Sequence, residues 1–415
     1  MRLTSLGLLL FLHVAPAVSR ASDATAPTDY DVELQQIDES IRAIRGGDKG
    51  MPSDPGRATG YVHLLFRRAW ITGDLTELAA VGTAIDDVLK RHEDFEDLHL
   101  LKAHLHFKFH RLSGVKEELA RVVELANSPH CRALKADLDF QEGRYGEAGK
   151  GYEDLARKHP TWDNLARLAY LRAKMGDPDA ADRLYAEAGE TLTAKEMRSF
   201  AWIELQRGLL AFGRGRYDDA SAHYDRAGRA YSGYWLVDEH KAELLAASGK
   251  SGEAVALYEK VLNRAPRPEL SQSLGDLYLY LSKPDLAKPW HARAVAAYLE
   301  SANRGDVHYY HHLAAYFADV VEDGEQAERW AREDLKLRKN HATREALAWS
   351  LFRGGRFKEA AEVVDQAMAT GVIDAHLDYH AAMIYLAVGR ADEGKKLLGK
   401  LAAMNPRYAD FHVHR

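Results

Sequence analysis

The sequence predicts an all-α chain, a right-handed superhelical solenoid of about ten antiparallel helix pairs. Three observations predict it. Five stretches repeat one pattern: GRYGEA (143–148), GRYDDA (215–220), GKSGEA (249–254), GRFKEA (355–360) and GRADEG (389–394). Each follows a helix-length, Ala/Leu-rich stretch, and the unit period is 33 to 34 residues. The composition agrees, with only 12 prolines in 415 residues, 46% hydrophobic residues and 28% charged residues of mixed sign. That balance favours folded helix over disorder, and the length exceeds what one core usually holds.

Taken in order, residues 1–21 read as an export signal. Arg2 gives the positive start, Leu3 to Val14 is mostly apolar, and Ala15-Pro16-Ala17 or Ser19-Arg20-Ala21 supplies small residues for cleavage. The apolar run is too short for a permanent anchor. The expected location is therefore periplasmic or secreted. Residues 22–56 hold an amphipathic helix, Tyr30 to Arg45, with Val32, Leu34, Ile37, Ile41 and Ile44 apolar, then a Gly/Pro/Asp loop from Gly46 to Gly56. Terminal repeats need covering, so this helix is expected to cap the first unit. Residues 57–408 form the solenoid. Residues 409–415 are a short tail after Pro406, which stops the last helix.

Within each unit the glycine ends the first helix, where a left-handed backbone costs it little. Ala148, Ala220, Ala254, Ala360 or Gly394 then lets the second helix come close. Four residues later Tyr152, Tyr224, Tyr258, Val364 or Leu398 fills the seam between the helices. A proline closes several units: Pro160, Pro266 and Pro406.

This small–large–Pro order resembles the tetratricopeptide repeat family over residues 57–408. Aligned to that family, units start at 59, 100, 129, 162, 201, 235, 268, 308, 341 and 375. The longer steps at 162–201 and 268–308 imply extended helices or short insertions. The first two units fit less well, with Gly73 and Gly114 as their turn residues. The resemblance implies a concave groove that binds peptides or protein segments. Its family positions fall on Phe140, Tyr170, Trp202, Phe212, Tyr280, Tyr316, Trp349, Phe352, Arg353 and Tyr379, among polar neighbours such as Glu239, Asp276 and His376. That lining is aromatic and mildly acidic. Position 5 of the units holds no Lys or Arg, so the family's clamp for a terminal carboxylate is not expected.

The net charge of −6 and the lack of a basic stretch argue against nucleic acid as partner. The single cysteine, Cys131, excludes an internal disulfide and reads as a small core residue. Twenty histidines cluster in HLLKAHLHFKFH, HYYHH and HLDYH. The i, i+4 pairs His106/His110, His308/His312 and His376/His380 would share helix faces, while His223 and His291 sit at packing positions. His308, His311 and His312 form the best candidate for a divalent transition metal. GRYGEAGKG lacks the leading Gly and trailing Ser/Thr of a phosphate loop, and no nucleophile elbow or HExxH occurs. The expected function is a non-catalytic, cofactor-free scaffold that binds a protein or peptide on its concave face. Metal handling through the histidines and end-to-end self-association in the cell envelope are the alternatives.

Overall fold

The computed structural model describes residues 26–46 and 50–413. The expected export signal lies outside them, as do His414 and Arg415. Among the described residues there are helices and connecting turns, and no strand.

The first helix of the described residues is α1 (Asp29–Arg45), where sequence periodicity places it. Ten helix pairs follow. They are α2 (Pro55–Thr72) with α3 (Leu75–Leu89), α4 (Glu96–Lys108) with α5 (Leu112–Leu119), and α6 (Pro129–Gln141) with α7 (Tyr145–Lys158). Next come α8 (Trp162–Lys174) with α9 (Pro178–Glu190), α10 (Met197–Phe212) with α11 (Tyr217–Ala230), and α12 (Trp235–Ala247) with α13 (Ser251–Arg264). The last four are α14 (Pro268–Tyr280) with α15 (Pro284–Asn303), α16 (Tyr310–Ala315) with α17 (Gly324–Leu337), α18 (His341–Arg353) with α19 (Phe357–Met368), and α20 (Ala375–Ala387) with α21 (Ala391–Met404). The long steps are explained by a loop before α10 and by the 20-residue α15; α16 runs on into a π-helical turn over Tyr316–Val320.

Local chemistry sets the boundaries. Thr28 and Asp31 form a reciprocal capping box at α1, and Asp54, Asp74, Ser128, Asp177, Asn340 and Asp374 accept from the first-turn amides of their helices. Pro55, Pro129, Pro178, Pro268 and Pro284 open helices where a missing N–H costs nothing. All five glycines of the repeated motif adopt positive φ, between 68° and 83°. The small residue after each is fully buried, or buried in the case of Gly394. Tyr152, Tyr185, Tyr224, Tyr258 and Tyr298 fill the helix–helix seams. Each such ring withdraws roughly 150–250 Å² from water, worth about 4–6 kcal/mol before entropy is counted. Tyr152 donates to Asp137 at 2.8 Å and Tyr298 to Gln272 at 3.0 Å, whereas the Tyr224 and Tyr258 hydroxyls are buried without an acceptor, which offsets part of their gain.

Two expectations are corrected. Gly114 is not a turn residue: it lies inside α5, where a Cβ would stand 2.8 Å from the His106 ring. His110 makes that turn instead, at φ 59°. Being beyond the end of α4, His110 does not share a helix face with His106, and His308 likewise precedes α16 rather than lying on it with His312.

The superhelix closes on itself. The turn inside each early pair meets the lead-in to a first helix five or six pairs later. Tyr30 N–H donates to the Ser232 carbonyl at 3.2 Å. Trp235 Nε1 donates to the Ile71 carbonyl at 3.4 Å and Arg267 to the Gly73 carbonyl at 2.7 Å. His110 stacks on His308 with ring centroids 5.1 Å apart. Lys339 N–H donates to the Gln141 carbonyl at 3.0 Å, and His341 N–H to the Tyr145 hydroxyl at 2.8 Å. Ile373 N–H donates to the Lys174 carbonyl at 2.8 Å. Tyr217 donates to Asp410 at 3.2 Å, so the tail continues the ladder. Its Phe411 is 3% exposed against Tyr280, and Val413 N–H donates to Glu243 at 2.7 Å. The helix α1 thus does more than cap the first pair, because Glu33 and Asp31 also pair with Tyr231 and Arg264 of the next turn.

Candidate functional site

Where the second turn lies over the first, the inner helices enclose a cavity of about 280 Å³. Helices α6 and α8 present Phe140, Tyr170 and Lys174 to it. Across from them stand His311 and His312 of α16, Asp319 of the π-helical turn, Glu345 and Trp349 of α18, and His376 and His380 of α20. The seam between turns supplies Arg338, Asn340, His341 and Asp374.

Three of the ten aromatic and basic residues assigned to the groove therefore meet here: Phe140, Tyr170 and Trp349. Phe140 is buried, with centroids 4.9 Å from Tyr145 and 5.5 Å from Tyr170. Tyr170 is 43% exposed. Trp349 is clamped between Phe352 at 4.8 Å and His380 at 3.9 Å, nearly parallel to both. Its indole N–H donates to Asp319 at 2.8 Å.

The other seven do not line the cavity. Trp202 packs edge-on against Trp162, Phe212 stacks on Tyr217, and Tyr280 meets Phe411 of the tail. Tyr316 packs against His291, which itself bonds to Asp276 at 2.7 Å. Phe352 supports Trp349, Tyr379 packs on Tyr408, and Arg353 is held by Glu322 and the Ala318 carbonyl. Cys131 is fully buried, as expected of a core residue.

The histidines do not converge. His308 is buried on His110, His311 stands 3.6 Å from Asp334, and the His312 ring lies 6.3 Å from each of the other two. Among the described residues, no group of three or more His, Cys, Asp or Glu side chains is placed to hold a metal ion.

The charges in the cavity are mostly paired. Lys174 Nζ lies 2.5 Å from Asp374, and although burial opposes ionisation, this contact holds the Asp374 carboxyl well below the usual range. Arg338 grips the buried Asp334 at 2.7 Å. Glu345 bonds to His380, which outweighs the burial that would push its carboxyl up. Asp319 differs: burial pushes it up to about 6, with the Trp349 N–H and His380 only partly compensating. His341 and His376 are pushed down to about 4 by burial and are neutral near pH 7.

Sequence reasoning missed Asp319, Glu345 and His380 as lining residues. Glu345 occupied position 5 of its unit and His380 stood one turn after His376, so both were readable in principle. Asp319 was readable too, being the twelfth residue of the unit that starts at 308, as Phe140 and Phe352 are of theirs.

Residues 341–366, spanning α18 and most of α19, match the tetratricopeptide repeat family model. No curated protein matches the chain. Solved structures similar to it include a tetratricopeptide repeat protein from Parabacteroides merdae, at 18% identity and a TM-score of 0.36 over 59% of this chain and 93% of that one. Yeast Tom70 is similar at 13% identity and a TM-score of 0.39, over 90% and 89% of the two chains. The Cut9–Hcn1 hetero-tetramer of the APC/C is similar at 15% identity and 0.42, over 91% and 80%.

Proposed function

We propose that this tetratricopeptide-repeat-like solenoid is a non-catalytic scaffold that takes a segment of a polypeptide partner at the inner face of its superhelix. The apolar run within residues 1–21 supports a periplasmic or secreted setting. The observation that carries the reading is the cavity itself: Phe140 and Tyr170 are brought to face Trp349 and Glu345 from about 200 residues away in the chain. An aromatic wall beside a few fixed polar groups suits an inserted side chain with its flanking backbone. Most of the acids and bases are tied into pairs, an arrangement that suits recognition more than proton transfer.

Tyr170→Ala tests this. The ring is exposed, so its loss should leave the fold intact while emptying the wall. Immobilised wild-type protein should retain polypeptides from an envelope extract that the variant loses. Identical retained sets would refute the reading.

A further inference from the structure

The cavity, at about 280 Å³, is a recess for side chains rather than a bed for a folded surface. It has room for one extended side chain. What that side chain should be follows from the charges left over after internal pairing. Asp374 neutralises Lys174, and Asp334 neutralises Arg338. Arg353, whose charge also bears on Asp319, is turned to Glu322 at 2.6 Å and to the Ala318 carbonyl at 2.8 Å. Two carboxylates remain at the wall, Asp319 and Glu345, and of these Glu345 is shared with His380.

We infer that the cavity receives an alkylammonium or guanidinium group, carried as a lysine or arginine side chain of the partner, with Asp319 as its principal counter-charge and Tyr170 against its stem. This rests on the polypeptide reading above. Asp319 is held ready for the role. The Trp349 N–H fixes its Oδ1, and Trp349 is itself immobilised between Phe352 and His380. The carboxylate keeps accessible surface although protein surrounds it. The surrounding protein raises its pKa, and the Trp349 N–H, His380 and Arg353 offset this only in part. Tyr170, partly exposed on the opposite wall and already carrying Lys174 Nζ over its ring at 5.8 Å, adds an aromatic surface for the stem.

The test uses the full chain and three fluorescein-labelled pentapeptides, of lysine, of glutamate and of alternating Gly and Ser, followed by anisotropy near neutral pH and low salt. Asp319→Asn keeps an acceptor for the Trp349 N–H and removes only the charge. Glu190→Gln removes an exposed charge elsewhere. Pentalysine should bind tightest, lose about tenfold or more in Asp319→Asn, and change less than about twofold in Glu190→Gln. Equal loss in both variants, or tighter binding of pentaglutamate or the Gly/Ser peptide, would overturn the cation inference and leave the polypeptide reading standing. Binding of none of the three, or binding unaffected by Tyr170→Ala, would overturn the polypeptide reading itself. Adding n-butylamine separates the sources of the charge: a free amine that binds as tightly as pentalysine would overturn the assignment to a polypeptide side chain.

Discussion

Gly143 and Gly249 occupy the same motif position with the same φ of 77°, yet only one lies under the next superhelical turn. A Cβ on Gly143 would stand 2.6 Å from the Lys339 carbonyl oxygen, while one on Gly249 would meet nothing within 4 Å. Both Ala substitutions carry the left-handed backbone penalty of about 1–2 kcal/mol. Gly143→Ala must also push back a segment of backbone. That movement breaks the Lys339–Gln141 backbone bond of 3.0 Å and strains the Asn340–Gln141 side-chain bond of 2.7 Å. At about 1 kcal/mol per bond the excess is roughly 1–2 kcal/mol. Urea unfolding followed by circular dichroism measures the difference. Because repeat arrays can depart from two-state behaviour, midpoints at equal slope are the quantity to compare. Small-angle scattering should show a larger radius of gyration for Gly143→Ala alone. Equal midpoints and equal radii for the two variants would refute the contact between turns.

Further outcomes follow from the same geometry. His308 and His341 are buried at the seam with pKa values pushed down to about 4. The unfolded chain binds their protons first, so stability should be full above about pH 6.5 and fall as pH drops toward 4, by at most ~3 kcal/mol for each. Melting temperatures that stay flat across that window would contradict it. Phe411→Ala should cost about 3 kcal/mol, as loss of a buried aromatic does, and should raise hydrogen exchange at Tyr280 and Glu243. No change in exchange there would show that the tail is not docked. Asp374→Asn should loosen the seam and leave Lys174 an uncompensated cation, and a native-like melting curve would argue against that pairing.

The helix pairs were legible because each unit states its own local rules. Gly143, Gly215, Gly249, Gly355 and Gly389 announce turns, and Tyr152, Tyr224 and Tyr258 announce seams, through contacts made a few residues away. The site was only partly legible because it is made by contacts about 200 residues apart, such as Lys174 with Asp374. No period of 34 encodes how many pairs complete a turn. A groove read from one repeat at a time therefore included Trp202, Phe212 and Tyr280, which are occupied by Trp162, Tyr217 and Phe411. The glycine pattern carried a second message that a single unit could not reveal. Gly73, Gly143, Gly176 and Gly215 have a side chain or backbone of the next turn where a Cβ would sit, whereas Gly249, Gly355 and Gly389 have open space. The first four mark the seam between turns.

The second turn of the superhelix sits directly on the first and so creates the cavity. A zero-length carbodiimide cross-link tests it on the unaltered protein. Lys174 and Asp374, 2.5 Å apart, should be joined as an amide within one chain, found by mass spectrometry of the monomer band. The Lys336–Glu333 pair at 2.7 Å, within a single helix, serves as the internal control. Recovery of both links is the predicted result. Recovery of the control without the Lys174–Asp374 link would mean that the superhelix is open and the cavity does not form.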